Sequence, residues 1–330
     1  MARMRSVVVL LAMVALIASV GSAEAQVDPE IYAVPHLFSL STATTTRLFG
    51  MGGFVTCIPD EGFANPAFAS TVTDFDSVVR YSATNFDPGL KLRGEQVSVA
   101  IPLTKGKNGL QVTGFRLKSG MGKPGPAPGT PVVSFDEWDL AVHYGQRINS
   151  RWAIGVGISP VFHSSTGFHL PAPVGPVGQL QASSDEGFRI GCLYAFGLGG
   201  CLGAVYDRYD EQVTTGIPPT LQYTSEEMAL GLSHPLNPRI LAAVEWQQLT
   251  TERSGTRVGD SGIRFGFEFI GSNHWAVRTG SNDGAFSCGM GYQGSDWSLE
   301  YAFINNWNAD NVGNAFGGSQ THQFEATYSW

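Results

Sequence analysis

The chain is poor in charge: of 330 residues, 20 are Lys or Arg and 28 are Asp or Glu, 15% in all. It has only four cysteines, at positions 57, 192, 201 and 288, too few and too scattered for a disulfide framework. Cys192 and Cys201 flank a tight turn and are open to pairing, although two small apolar residues is the simpler reading. Neither G-x-S-x-G nor HExxH occurs, and no His or Cys pair has metal-ligand spacing. His163 and His169 fall in one expected loop, where histidines are usually solvated. No enzyme, metal or cofactor is expected. After Val20 no apolar run is long enough for a membrane helix, which needs about 20 residues.

What is there begins with an export signal. Arg3 and Arg5 precede the apolar run Val7 to Val20, and Ala23-Glu24-Ala25 has the A-x-A form of a cleavage site. Residues 1–25 are therefore expected to be a signal peptide, with the mature chain beginning at Gln26. No Cys follows the site, which argues against a lipoprotein. Removing Arg3, Arg5 and Glu24 leaves 18 basic and 27 acidic residues, a net charge of −9, which argues against a nucleic-acid partner.

From Phe75 onward the period is two. Apolar and polar residues alternate over 75–86, 90–104, 109–119, 132–147, 151–163, 179–196, 200–213, 221–234, 239–251, 257–269, 274–281, 285–293, 296–306 and 319–330. The last segment places Phe324, Ala326, Tyr328 and Trp330 on one face and Glu325, Thr327 and Ser329 on the other. Backbone groups in lipid must be paired within the protein, so sheets cross a membrane only as closed barrels. About fourteen strands, an even number, suit an all-β transmembrane antiparallel barrel over 75–330. The 41 Gly and 20 Phe fit the same class.

The connections alternate in length. Lys105–Asn108, Asn149–Ser150, Gly197–Gly199, Leu236–Pro238, Gly271–Asn273 and Gln293–Ser295 are short and are expected on the periplasmic side. Gly120–Pro131, Ser164–Gly178, Thr214–Thr220 and Asn308–Gly318 are long and are expected outside, with Phe86–Gly89, Glu252–Thr256 and Asn282–Gly284 as short outer loops. Trp152, Trp275, Trp297 and Trp330 all lie near short turns or the terminus, as one interfacial girdle. Arg80, Arg264, Glu268 and Arg278 fall on the opposite phase and are expected in the lumen. Facing lipid at mid-depth, an Arg or Lys would cost ~2–4 kcal/mol. The segment 109–119 is irregular: Leu110 and Val112 are in one phase, Phe115 and Leu117 in the other, with Gly114 between. That reads either as a kink or bulge at Gly114, and so a lateral opening, or as a weakly patterned strand with Phe115 in the lumen.

Residues 26–74 do not read as barrel strands. Arg47-Leu-Phe-Gly50-Met51-Gly52-Gly53-Phe54, then Asp60-Glu61, then Asn65-Pro66-Ala67 form a compact, Gly-rich and Pro-rich segment. This series resembles the N-terminal hatch of the outer-membrane long-chain fatty acid transporter family (FadL/TodX, with PorV-like relatives). The departures are Phe54 and Cys57 where Ala is typical, Phe68 after N-P-A where Gly is, and a shorter gap before Asn65. The resemblance implies a fourteen-stranded barrel plugged by the hatch, with a kinked third strand through which hydrophobic ligands leave into the membrane. It implies passive uptake of fatty-acid-like or aromatic hydrocarbons, or, as an alternative, a PorV-like scaffold or secretion-system subunit without transport. Phe168, Leu170 and Val174 are candidates for a ligand-docking loop; packing over the barrel mouth is the equal alternative. Expected partners are outer-membrane lipid and lipopolysaccharide, the barrel-assembly machinery, a hydrophobic ligand and, at the outer loops, a protein. Asn65-Pro66-Ala67 is expected in the lumen against Arg80, Arg264 and Arg278.

Overall fold

The computed structural model describes residues 45–58, 64–86, 91–119, 132–169, 176–214, 221–253, 256–272, 274–305 and 318–330. Among them no helix is long and apolar enough to cross a membrane. The chain crosses itself only as sheet. The strands are β1 (Asp76–Phe86), β2 (Lys91–Thr104), β3 (Asn108–Ser119), β4 (Val132–Arg147), β5 (Trp152–His169), β6 (Pro176–Phe196) and β7 (Gly200–Thr214). They continue as β8 (Leu221–Asn237), β9 (Ile240–Arg253), β10 (Thr256–Ile270), β11 (Trp275–Asn282), β12 (Ala285–Gln293), β13 (Trp297–Asn305) and β14 (Ser319–Ser329). Each pairs antiparallel with its sequence neighbours, and β1 closes on β14 from Asp76↔Ser329 to Phe86↔Ser319. The sheet closes on itself among the described strands, so no edge strand is left.

Side-chain alternation decides which face is which. Ile154, Val156 and Ile158 of β5 are each about half exposed, while Ala153, Gly155, Gly157 and Ser159 between them are buried. The same inversion recurs on β10, where Phe265, Phe267 and Phe269 point out and Arg264 and Glu268 are buried inside. A water-soluble sheet would hide the Phe side, since apolar area exposed to water costs about 25 cal/mol per Å². At the end with short turns Trp152 stacks near Tyr194, and Trp275 and Trp297 both contact Tyr292. Trp330 packs on Phe75 and Tyr328, completing an aromatic ring at one level.

The wall is uneven in height. β11–β13 have 8, 9 and 9 residues, whereas β5 and β6 have 18 and 21. β11 and β12 can be so short because Asp283-Gly284, with φ of 47° and 85°, turns the chain in two residues. The expected loop Ser164–Gly178 is partly strand: β5 runs to His169 and β6 starts at Pro176.

Of the two readings of Gly114, the kink or bulge does not occur and the lumen-facing Phe115 does. Val97↔Gly114 on one side and Gly114↔Leu140 on the other belong to unbroken runs of pairs. Phe115 and Leu117 simply face inward, with Gln111 and Thr113. The irregularities lie elsewhere: between Pro102 and Thr104 on β2, between Leu140 and Val142 where β4 meets β5, between Phe168 and His169 where β5 meets β6, between Ser183 and Glu186 on β6, and between Pro235 and Asn237 on β8. Prolines explain the first and contribute to the second, where Pro160 removes a ladder donor from β5.

Candidate functional site

Two short helical pieces occupy the lumen at the end with short turns. The first, α1 (Thr46–Gly50), is capped by Thr45, whose Oγ1 accepts from Leu48 N at 3.2 Å. It ends at Gly52 and Gly53, with φ of 117° and 80°, a conformation that a side chain disfavours. The second is a 3-10 helix, Pro66–Thr71. Asn65 caps it through Oδ1 to Ala67 N at 3.0 Å, and Pro66 supplies a preset φ at its first position. The Asn65 amide also donates to Thr56 O at 2.9 Å and to Cys192 O at 3.3 Å, tying the hatch to itself and to β6.

The hatch has its own small core. Leu48, Met51, Phe54, Cys57 and Ile58 pack together against Ala243 of β9, and Phe49 packs on Ala302 and Ile304 of β13. Ala67 and Phe68 pack on Ala153, Leu193 and Cys201. All four cysteines are free thiols.

What lets this plug fit is a belt of glycines on the inner wall. Gly109↔Gly145, Gly145↔Gly155 and Gly155↔Gly191 are successive cross-strand pairs over β3 to β6, and they receive Asn65 to Ser70. Gly203↔Gly231 on β7 and β8 receives Thr56 and Cys57. Gly266↔Gly280 on β10 and β11 receives the Met51 carbonyl, and Gly289 lies against Gly50. A Cβ at Gly266 or Gly280 would overlap the Met51 oxygen, so the two main chains meet with no side chain between them.

Charge fixes the other side of the hatch. Arg47 donates from Nε and Nη2 to Glu268 at 2.8 and 2.7 Å. Glu268 also accepts from Arg278 at 2.7 Å, and Arg278 is further paired with Glu300. Glu245 accepts from Val55 N at 3.0 Å, Thr56 N at 2.8 Å and Thr56 Oγ1 at 2.5 Å. Arg264 bridges Glu245, at 3.2 Å, to the carbonyl of Gly53, at 2.5 Å. Glu325 accepts from Thr46 N at 3.0 Å and from Arg80 Nε at 2.7 Å. Glu245, Glu268 and Glu325 therefore each hold both a wall arginine and a hatch donor. Outside the spanning strands, Asp74 takes a 3.0 Å contact from Lys105, and that hydrogen bond holds its carboxyl below the usual aspartate value.

Arg80, Arg264, Glu268 and Arg278 thus lie in the lumen, buried, around Gly50, Met51, Gly52 and Gly53. Asn65, Pro66 and Ala67 do not reach Arg80, Arg264 or Arg278 as expected: they sit across the lumen on the glycines of β4–β6. The arginines are already satisfied by wall carboxylates, which the sequence reading did not pair with them. Asp60, Glu61, Leu170 and Val174 lie outside the described residues, and Phe168 is described only as part of β5. Gly114 faces outward with nothing within 4 Å of a Cβ placed there.

Beyond the hatch, towards the long loops, the inner wall divides. Arg189, Asp207, Tyr209 and Glu227 form a polar sector, with Arg189 bound to Asp207 and Gln247 to Glu227. Leu92, Phe115 and Leu117 of β2 and β3 add a short apolar strip, bordered by Glu137 and Asp139 of β4, the cross-strand partners of Leu117 and Phe115. Among the described residues no group of His, Cys, Asp and Glu is arranged to hold a metal ion.

A closed fourteen-stranded antiparallel barrel is a fold shared with solved FadL/TodX structures. The Pseudomonas putida toluene transporter TodX superposes with a TM-score of 0.59 over 86% of this chain and 96% of its own, at 12% identity. CymD, a monoaromatic hydrocarbon channel, gives 0.61 over 88% and 98%, at 11% identity. A Pseudomonas aeruginosa FadL homologue gives 0.56 over 86% and 98%, at 13%. At such identities the likeness is one of fold. No family model matches the sequence, and no curated protein does. These neighbours are channels or transporters rather than enzymes.

Proposed function

We propose that the protein is an outer-membrane channel for passive uptake of small hydrophobic molecules, fatty-acid-like or aromatic hydrocarbons. The observation that carries this reading is the hatch. It fills the lumen through main-chain contacts on glycines, through ion pairs and through small, separate apolar clusters with the wall, so it shifts without dismantling one continuous hydrophobic core. The structural neighbours named for toluene and monoaromatic hydrocarbons support the same class of cargo.

Ligand enters from the end with long loops, where Phe168, Leu170 and Val174 are the candidate docking residues, and meets Leu92, Phe115 and Leu117 inside the wall. Transit needs no cofactor and no energy input. The lateral exit is placed beside the third strand at Gly114. Both ladders there are paired, so exit requires β3 to part from a neighbour, at a residue whose side obstructs nothing.

The test is uptake of labelled toluene and labelled oleate by intact cells that lack their own hydrophobic-compound channels. Expression of this chain should raise uptake of at least one. A heat-modifiable, outer-membrane barrel that raises neither would overturn the reading in favour of a scaffold.

A further inference from the structure

On the outer face of β2, Arg93 stands directly opposite Lys118 of β3. Opposed residues of a ladder have Cβ atoms about 4.5–5.5 Å apart, and like charges so placed repel. Both side chains are exposed and point away from the lumen, as do Lys91, Glu95 and Arg116 around them. Two carboxylates share this face among the described residues, Glu95 and Asp136, against four cations, Lys91, Arg93, Arg116 and Lys118, and neither is hydrogen-bonded to Arg93 or Lys118. Asp136 is the cross-strand partner of Lys118 on β4, but its two oxygens are taken by Arg116 at 3.2 and 3.1 Å. Glu95 stands opposite Arg116, not Arg93.

The opposite side of the barrel shows what a self-contained cluster looks like. On β7, β8 and β10, Arg208 pairs with Asp210 at 3.3 Å and Arg257 with Glu226 at 3.0 Å. Each cation there has its own anion. The β2–β3 patch instead holds Lys91, Arg93, Arg116 and Lys118 against two carboxylates, in a chain whose overall charge is −8. Its depth is also set. Val97 and Val112 lie on the membrane side of it, and Trp138, opposite Arg116 and exposed, marks the interface between them.

We infer that Arg93 and Lys118 form a binding site for the phosphate of a lipid A headgroup in the outer leaflet. One phosphate oxygen set bridges the guanidinium and the ammonium, converting a repulsive pair into two charge-assisted hydrogen bonds. The acyl chains run down over Val97, Val112 and the Trp138 ring. The inference rests on the outer-membrane reading, with the long loops facing outward.

The test uses full-length protein, extracted, delipidated and titrated with lipid A under native mass spectrometry. The wild type should retain lipid A, and the Arg93→Gln/Lys118→Gln double variant should bind on the order of tenfold more weakly or worse. Arg208→Gln/Arg257→Gln, which removes the same charge from the paired cluster, should bind as wild type. Heat-modifiable migration and outer-membrane fractionation of each variant confirm a folded barrel in place. A barrel found in another membrane fails both readings. An outer-membrane barrel whose double variant keeps full lipid A affinity overturns this inference alone. So does competition by phosphatidylglycerol or inorganic phosphate at equal concentration, which would mark a generic anion site.

Discussion

Arg47 of the hatch grips both carboxylate oxygens of Glu268 on β10, at 2.8 and 2.7 Å, and is the one charged side chain described in α1. Glu268 is shared with Arg278, so the three form a chain from hatch to wall that continues to Glu300. Arg47 is a quarter exposed whereas Glu268 is buried, which makes Arg47 the removable end.

Arg47→Ala should therefore loosen the hatch by roughly 1–2 kcal/mol, leaving Glu268 still paired with Arg278. Glu268→Gln should do more, roughly 3 kcal/mol or above, because two guanidinium groups lose their shared anion. Open-channel events in planar bilayers should become more frequent in that order, with heat-modifiability unchanged. Equal traces for all three proteins would mean that this chain of charges does not hold the hatch.

The glycine belt makes a sharper prediction. Gly266→Ala or Gly280→Ala places a methyl on the Met51 carbonyl and should unseat α1 while the strands still pair. Gly114→Ala, with open space around it, should be silent in the same assay. Antibiotics normally excluded by the outer membrane provide the readout: cells with either belt variant become sensitive, and cells with Gly114→Ala do not. Sensitivity from all three, or from none, contradicts the belt's role.

The apolar strip above the hatch should matter to cargo and not to assembly. Leu117→Asp puts a carboxylate between Leu92 and Phe115 and should cut hydrocarbon uptake several-fold, since an unpaired charge near the path must be passed or desolvated. Phe115→Leu, which keeps the surface apolar, should retain most of it. Uptake indifferent to Leu117→Asp would place the ligand path elsewhere in the lumen.

The strands were legible because lipid imposes its own pattern. Outward residues such as Ile154, Val156 and Ile158 must be apolar, so the period of two survives in the sequence without an alignment. Where strands rise above that band the pattern fades, and Ser164-Ser-Thr-Gly167, polar on both faces, reads as loop although it pairs with β4 and β6. Gly114 is ambiguous for a related reason: a change of apolar phase reads equally as a slip or as an apolar residue in the lumen, and the second holds at Phe115 and Leu117. The hatch motif was visible in Gly50-Met-Gly-Gly53 and Asn65-Pro-Ala67. Its departures, Phe54, Cys57 and Phe68, are all fully buried and fill the plug's own contacts with the wall. The glycine belt was not legible, because Gly145, Gly155 and Gly191 are far apart in sequence and meet only through register. The signal was there in their shared inward phase and similar height above the short turns. The carboxylates Glu245 and Glu325 are not legible as hatch anchors because nothing local to them predicts a partner 189 to 279 residues away, such as Thr46 for Glu325.

The central claim is that the N-terminal segment is what closes this barrel. Deleting residues 42–68 and recording single channels in planar bilayers tests it most directly. The account predicts a folded barrel with a large, steady conductance where the full chain is nearly silent. A deletion that assembles normally and conducts no more than the full chain would show that the lumen is closed by something else, and the hatch would lose its role as a plug.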